Sequence, residues 1–279
     1  MKSNLLQLAL ASGLVLSSPI LHAQDHGHLN VGAVGTNQND QLNWNNGADF
    51  IASSGYVKTL NHTNAGKYAG YYQQNITLTA LAQTPAFGGP VAGAPALGSV
   101  VFARMSLLSG PVGGKFGFWD ASSTTAPSIS LNAGETATNL FQVTQATGAP
   151  GADPYGHIHG RRFTATRPGI YQVGFQAVDV STNGAGGGPV HTPSAVLPVW
   201  FQAGVNIASV EPDHEDGHVQ VRFGAPLNTT WQVEYTESLS PTNWLPAGTV
   251  VTGLDYFFEV MHAGDPGAQR FYRVRRLTP

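Results

Sequence analysis

Ten histidines and a complete absence of cysteine define the metal chemistry open to this chain of 279 residues. Four of the histidines form two His-x-His pairs, His26 with His28 and His157 with His159. In an extended segment, residues i and i+2 point to the same face, so each pair places two imidazoles side by side, as a metal ion requires. His191, among glycines, supplies a fifth nitrogen donor. The spacing predicts a metal site with more imidazoles than tetrahedral zinc needs; the competing interpretation is that these are ordinary surface or hydrogen-bonding histidines.

The residue types that could act as ligands restrict which metal ions the chain could bind. Without cysteine there are no thiolate sites or iron–sulfur clusters, and without a methionine-rich segment copper(I) is disfavoured, which leaves Zn²⁺, with Cu²⁺ or Ni²⁺ as alternatives. Asp153, Asp25 and Asp179 are candidate oxygen ligands or groups that orient an imidazole. Because metal binds neutral imidazole, we expect binding to weaken as the pH falls through the ordinary histidine pKa of about 6.5.

The first 23 residues have the pattern of a secretory signal peptide. Lys2 precedes an interrupted apolar stretch, and Ala23 is the small residue expected before the cleavage point. We therefore expect export to the periplasm, the cell surface or the medium. No later segment approaches the roughly 18 consecutive apolar residues of a spanning helix, so no transmembrane segment is expected in the mature chain. The net charge of −3 gives no electrostatic signature of nucleic-acid binding.

Short runs rich in β-branched and aromatic residues, bounded by turn residues, dominate the remainder of the chain. No window shows the 3.6-residue apolar period of an amphipathic helix. From Tyr171 to Ala177 every second residue is apolar, as in a half-buried strand. In contrast, the aromatic run from Phe116 to Trp119 is typical of core packing at a strand end. The clearest strands are predicted at residues 75–81, 99–107, 170–178 and 196–203.

The distribution of charge divides the chain. Residues 24–208 hold seven acidic and seven basic side chains, whereas residues 209–279 hold nine and five. Residues 211–217 have the composition of a linker or an exposed turn, and about five short strands are predicted beyond them. We therefore predict an all-β protein. Its parts are a signal peptide (1–23), a larger jelly-roll or immunoglobulin-like β-sandwich carrying the His-x-His pairs (24–205), and a small β-sandwich (206–279).

Five segments of the larger part carry a resemblance to known proteins: residues 26–33, 50–60, 67–72, 151–176 and 181–194. Together they resemble a family of exported bacterial surface proteins. The best-known members are cyanobacterial, carry a C-terminal PEP-CTERM sorting tail and are placed under the zinc-uptake repressor. Through residues 156–159 and 168–171 the chain has a more distant similarity to surface-anchored repeats found beside metal transporters in actinobacteria. The resemblance implies zinc acquisition or storage outside the cytoplasm, with histidines as ligands.

The end of the chain departs from that family. Residues 271–279 contain no PEP motif, apolar helix or basic stop, so the family's sorting route is not expected to apply. Instead, residues 232–240, 243–244 and 265–274 resemble fibronectin-III-like or immunoglobulin-like modules of secreted bacterial proteins. This resemblance implies a spacer or an attachment module that contacts a cell-surface component.

The sequence favours a secreted, non-enzymatic metal-binding protein. Its expected ligands are His157, His159 and His191, with His26 and His28 completing or flanking the site.

Two other functions remain as alternatives. One is a structural or adhesive surface protein that binds glycan or matrix through aromatic residues such as Trp119. The other is a metal-dependent hydrolase with Asp153 as general base. The serine-hydrolase elbow and the phosphate-binding loop are both missing from the sequence.

Overall fold

The structure, a computed structural model, describes residues 27–158, 161–213, 217–263 and 269–277. The predicted signal peptide, Asp25, His26 and His159 lie outside the described residues. Within these ranges the chain forms nineteen β-strands and five 3-10 helices of three or four residues. The prediction of an all-β sandwich protein is therefore confirmed. None of the helices in the described ranges has the length and apolar character needed to cross a membrane.

The first thirteen strands build the larger unit. They are β1 (His28–Ala33), β2 (Leu42–Trp44), β3 (Lys58–His62), β4 (Tyr72–Gln74), β5 (Thr77–Ala80), β6 (Val101–Ser109), β7 (Phe116–Trp119), β8 (Ile129–Leu131), β9 (Phe141–Gln142), β10 (Gly156–Ile158), β11 (Arg162–Ala165), β12 (Gly169–Asp179) and β13 (Leu197–Ala203). The 3-10 helices are Gly47–Phe50, Ala52–Ser54, Gly66–Tyr68, Pro85–Phe87 and Ala185–Gly187.

The large sheet has nine strands in the order β8-β7-β11-β4-β3-β13-β12-β6-β9. It curls so that its two ends approach each other, because Phe118 of β7 stacks on Phe141 of β9 with ring centroids 4.1 Å apart. On β12 the predicted alternation is confirmed, since Tyr171 through Ala177 bury every second side chain. The aromatic run at Phe116 is core, as expected. A cluster of aromatic rings lies in this core, in which Phe163 contacts each of the others: Phe116, Phe118, Phe175 and Phe201.

A four-stranded sheet in the order β10-β5-β1-β2 packs on the same core. Its central strand β5 runs parallel to β1 and antiparallel to β10. Leu29, Leu78 and Ile158, one from each of these strands, are buried. Since side chains alternate along a strand, their immediate neighbours face outward. This sheet therefore presents one polar face away from the core.

The last six strands build a smaller unit with its own hydrophobic cluster. The strands are β14 (Ile207–Asp213), β15 (His218–Ala225), β16 (Thr230–Thr236), β17 (Leu245–Thr252), β18 (Tyr256–Ala263) and β19 (Phe271–Arg276). They form two three-stranded sheets, ordered β14-β15-β18 and β17-β16-β19. One correction concerns residues 211–213, which were expected to belong to a linker or an exposed turn. They belong to β14 instead, because they pair with β15.

Polar contacts join the two units. The side-chain amide of Gln202 on β13 donates to the carbonyl oxygen of Gly224 on β15 at 2.7 Å. Lys58 forms an ion pair with Asp255 at 2.7 Å, and both side chains are largely buried. Because the side chains of Lys58 and Asp255 are largely buried, dissolved salt screens this ion pair less than it would screen an exposed one.

A nearly buried carboxylate ties β16 to β19. Glu234, with only 6% of its side chain exposed, contacts Arg273 at 2.7 Å and Arg275 at 2.6 Å. Burial raises the pKa of Glu234, but hydrogen bonds and charge from Arg275 and Arg273 outweigh it and hold the pKa below its ordinary value. A folded-state pKa below the unfolded value stabilises the fold above the ordinary carboxyl pKa of about 4.3, and this stabilisation is lost as the pH falls through the folded-state value.

We predict that Glu234→Gln lowers the free energy of unfolding at pH 7 by about 1–2 kcal/mol, a modest loss because both arginines are half-exposed. The difference from wild type should shrink as the pH is lowered toward 2, because the wild-type carboxylate is then protonated as well. Denaturant unfolding of both proteins between pH 7 and pH 2 measures this difference in the free energy of unfolding. A difference that does not vary with pH would contradict this account of the carboxylate.

Candidate metal centre

The structure brings together one histidine from each His-x-His pair. His28 begins β1 in register with Thr77 of β5, and His157 on β10 is in register with Thr79 of the same strand. The ring centroids of His28 and His157 lie 4.5 Å apart, with the ring planes at 45°. Two histidines that are far apart in sequence therefore meet across a single strand.

Both imidazoles belong to the outer face of the four-stranded sheet. Their chain neighbours Leu29 and Ile158 are buried in the core, so the alternation of each strand turns the histidines outward. His28 and His157 are half-buried. The pair therefore lies partly buried on the outer face, on strands that are held by hydrophobic packing.

Hydrogen bonds fix the position of His28. Its Nδ1 lies 3.2 Å from Oγ1 of Thr79 on the neighbouring strand. The side chain of Asn46 donates to the carbonyl oxygen of His28 at 2.7 Å and accepts from the amide of Asn30 at 2.8 Å. Asn46 thereby makes the pair of contacts that a neighbouring strand would make at this point. Sequence reasoning missed Thr79 and Asn46; the one available signal was the position of Thr79 in a predicted strand.

His191 has a different environment. Only 1% of its surface is exposed. Its Nε2 accepts from the amide of Ala96 at 2.9 Å, and its Nδ1 lies 2.8 Å from the carbonyl oxygen of Asp40, to which it donates. Both ring nitrogens are thus engaged by the backbone, and the imidazole joins three separate segments. The geometry gives His191 a structural role and does not bring it to His28 and His157.

Asp153 holds a turn. Its carboxylate accepts hydrogen bonds from the amides of Gln83 at 3.1 Å, Thr84 at 2.6 Å and Tyr155 at 2.9 Å. Burial raises the pKa of Asp153, but these bonds and one from the Thr84 hydroxyl outweigh it and keep the pKa below its ordinary value. A carboxylate engaged in this way is a poor general base, because its lone pairs are already used.

Asp179 is also engaged by the backbone. This buried carboxylate accepts from the amides of Val100 and Ser181 through one oxygen, and from Val190 and His191 through the other, at 2.9–3.1 Å. It fixes the glycine-rich segment that ends at His191. The suggestion that Asp179 is a metal ligand or orients an imidazole gains no support from these contacts.

Trp119, the aromatic residue named for the alternative glycan-binding function, lies in the core, as its run of aromatic residues predicts. None of its surface is exposed, and its Nε1 donates to Oγ1 of Thr164 at 3.1 Å. The rings of Tyr68 and Tyr71 pack edge-on against it. A ring without exposed surface cannot stack on a sugar, so Trp119 gives the glycan-binding alternative no support.

Over the described ranges, no three His, Asp or Glu side chains come together in a group that would hold a metal ion. The described part of the site consists of the two imidazoles of His28 and His157. Their sequence partners His26 and His159 remain predictions, since they lie outside those ranges.

No protein-family model matches this chain, and no curated protein matches it in sequence.

The contrast between the histidines gives a test. We predict that His191→Ala lowers the free energy of unfolding by about 2–4 kcal/mol, because it leaves a cavity and two backbone groups without partners. It should leave the affinity for zinc within about twofold of wild type. Denaturant unfolding and zinc titration of the same preparation measure both quantities. A large loss of zinc affinity in a folded His191→Ala protein would instead return His191 to the ligand set.

Proposed function

We propose that this protein is an exported zinc-binding protein whose site is centred on His28 and His157. The observation that carries the proposal is the 4.5 Å separation of the two imidazole centroids. Two imidazoles on one tetrahedral zinc have centroids about 5 Å apart, given Zn–N bonds of about 2.0–2.1 Å. The observed separation is therefore compatible with both imidazoles binding one ion.

His26 and His159 are proposed as the remaining ligands. Each lies two residues from a histidine of the described pair, a spacing that in extended backbone keeps both imidazoles on one face. Three imidazoles and a water, or four imidazoles, satisfy the coordination of zinc. Cu²⁺ and Ni²⁺ are the alternative ions, since imidazole suits all three.

The contacts of Asp153 favour metal binding over hydrolysis. The carboxylate of Asp153, the proposed general base of a hydrolase, is engaged by backbone amides. The histidine pair lies partly buried on the outer face of a sheet. The resemblance to exported proteins under the zinc-uptake repressor supports acquisition or storage of zinc outside the cytoplasm.

The remaining parts of the proposal concern location. The signal-peptide pattern of residues 1–23 supports export to the periplasm, the cell surface or the medium. The absence of cysteine means that a metal site here must use imidazole and carboxylate. We assign the smaller β-unit the role of a spacer or of an attachment module for a cell-surface component.

We expect the protein lacking residues 1–23, prepared without a histidine tag, to bind one zinc ion per chain. The double variant His28→Ala/His157→Ala should lose more than about 100-fold in affinity, beyond the 10–100-fold typical of changes that only orient a ligand. His26→Ala/His159→Ala should show a loss of similar size. Competition titration with a chromophoric chelator, repeated with Cu²⁺ and Ni²⁺, measures these affinities.

The matched control is His62→Ala, which removes an exposed imidazole that packs on Tyr72 in a different sheet. Its affinity should equal that of wild type. Zinc binding that survives unchanged in the folded His28→Ala/His157→Ala protein would contradict the proposal.

A further inference from the structure

We propose that Thr79 is a positioning residue that selects Nε2 of His28 as the metal-binding nitrogen, an inference that rests on the proposed function. Thr79 is on β5, the strand that separates the two histidines. Its Oγ1 lies 3.2 Å from Nδ1 of His28. A ring nitrogen hydrogen-bonded to a hydroxyl is directed at that hydroxyl, so a metal ion bound by this ring would use the opposite nitrogen.

The backbone around this contact is fixed, so the hydroxyl is held in place. Leu78 and Ala80, on either side of Thr79, are buried in the core and set the register of β5. Threonine is branched at Cβ, which restricts rotation about χ1. On the other strand, Asn46 holds the backbone at His28 through two hydrogen bonds. The main freedom left to the imidazole is rotation of its own side chain, and the contact with Thr79 limits that rotation.

A hydroxyl is well suited to this role because it both donates and accepts. A metal on Nε2 requires the ring proton on Nδ1, and Oγ1 of Thr79 accepts that proton's hydrogen bond. Metal-bound histidines generally donate their other ring N–H to an oxygen, which fixes the tautomer and raises the basicity of the ligand. Binding through Nδ1 would require His28 to give up the contact with Thr79. The geometry therefore favours Nε2.

Thr79 also faces the second histidine. His157 is its in-register partner on β10, so the hydroxyl lies between the two strands that carry the imidazoles. A substitution at Thr79 therefore changes the surface between the two strands that carry the imidazoles. Thr77 lies two residues earlier on the same face and is in register with His28. Its side chain makes no hydrogen bond within the described ranges, so it provides a control.

The test compares Thr79→Val, which removes the hydroxyl and keeps the branched shape, with Thr79→Ser, which keeps the hydroxyl. Valine is favoured in strands, so the variant is expected to fold. We expect Thr79→Val to weaken zinc binding 10–100-fold. Thr79→Ser should restore affinity to within about threefold of wild type, and Thr77→Val should leave it unchanged.

A spectroscopic readout separates positioning from a general loss of structure. Long-range ¹H–¹⁵N correlation spectra of histidine-labelled protein report which ring nitrogen carries the proton or the metal. In zinc-loaded wild type and Thr79→Ser, His28 should show a proton on Nδ1 and metal on Nε2. Coordination of wild-type His28 through Nδ1, or unchanged affinity in Thr79→Val, would overturn the role of Thr79 alone. A wild-type protein that binds no zinc would overturn the proposed function and this inference with it.

Discussion

The pairing of β5 with β1 on one side and with β10 on the other is the constraint on which the candidate site depends. Side chains alternate along a strand, so a slip of one residue would turn an imidazole into the core and an apolar side chain out of it. Burial of Leu29, Leu78 and Ile158 on the inner face excludes that slip. The hydrophobic core therefore sets the register, and the register sets the separation of His28 and His157. The chemistry on the outer face follows from packing on the inner face.

Local sequence patterns predict where strands lie, but they do not predict which strands pair with one another. Alternation predicted β12 correctly, because each apolar position from Tyr171 to Ala177 is a local property of the chain. The His-x-His spacing likewise indicated a shared face within each segment. The sequence does not predict that His28 meets His157, since this depends on a parallel pairing of β1 with β5 and an antiparallel pairing of β10 on the other side of that strand. Such pairings join distant segments, and no local pattern encodes them.

The roles of polar loop residues also depend on contacts that the sequence does not predict. His191 and Asp153 have the right chemistry for a metal site, yet both are engaged by backbone groups from segments far away in sequence. A glycine-rich chain with no disulfides needs such anchors, because its loops have many backbone groups and few side chains to satisfy them. Burial separates the two kinds of histidine: the ring of His191 is enclosed, whereas His28 and His157 lie partly buried on the outer face of a sheet.

The central claim is that His28 and His157 bind the same ion, and a double-mutant cycle on zinc affinity tests it most directly. If both imidazoles bind one ion, the losses in His28→Ala and His157→Ala are strongly non-additive, and the double variant loses much less than the sum of the two in free energy. If they act at separate sites or at none, the effects add or vanish. Non-additivity greater than about 1 kcal/mol is the result this account predicts, and additive or absent effects in folded variants would contradict it.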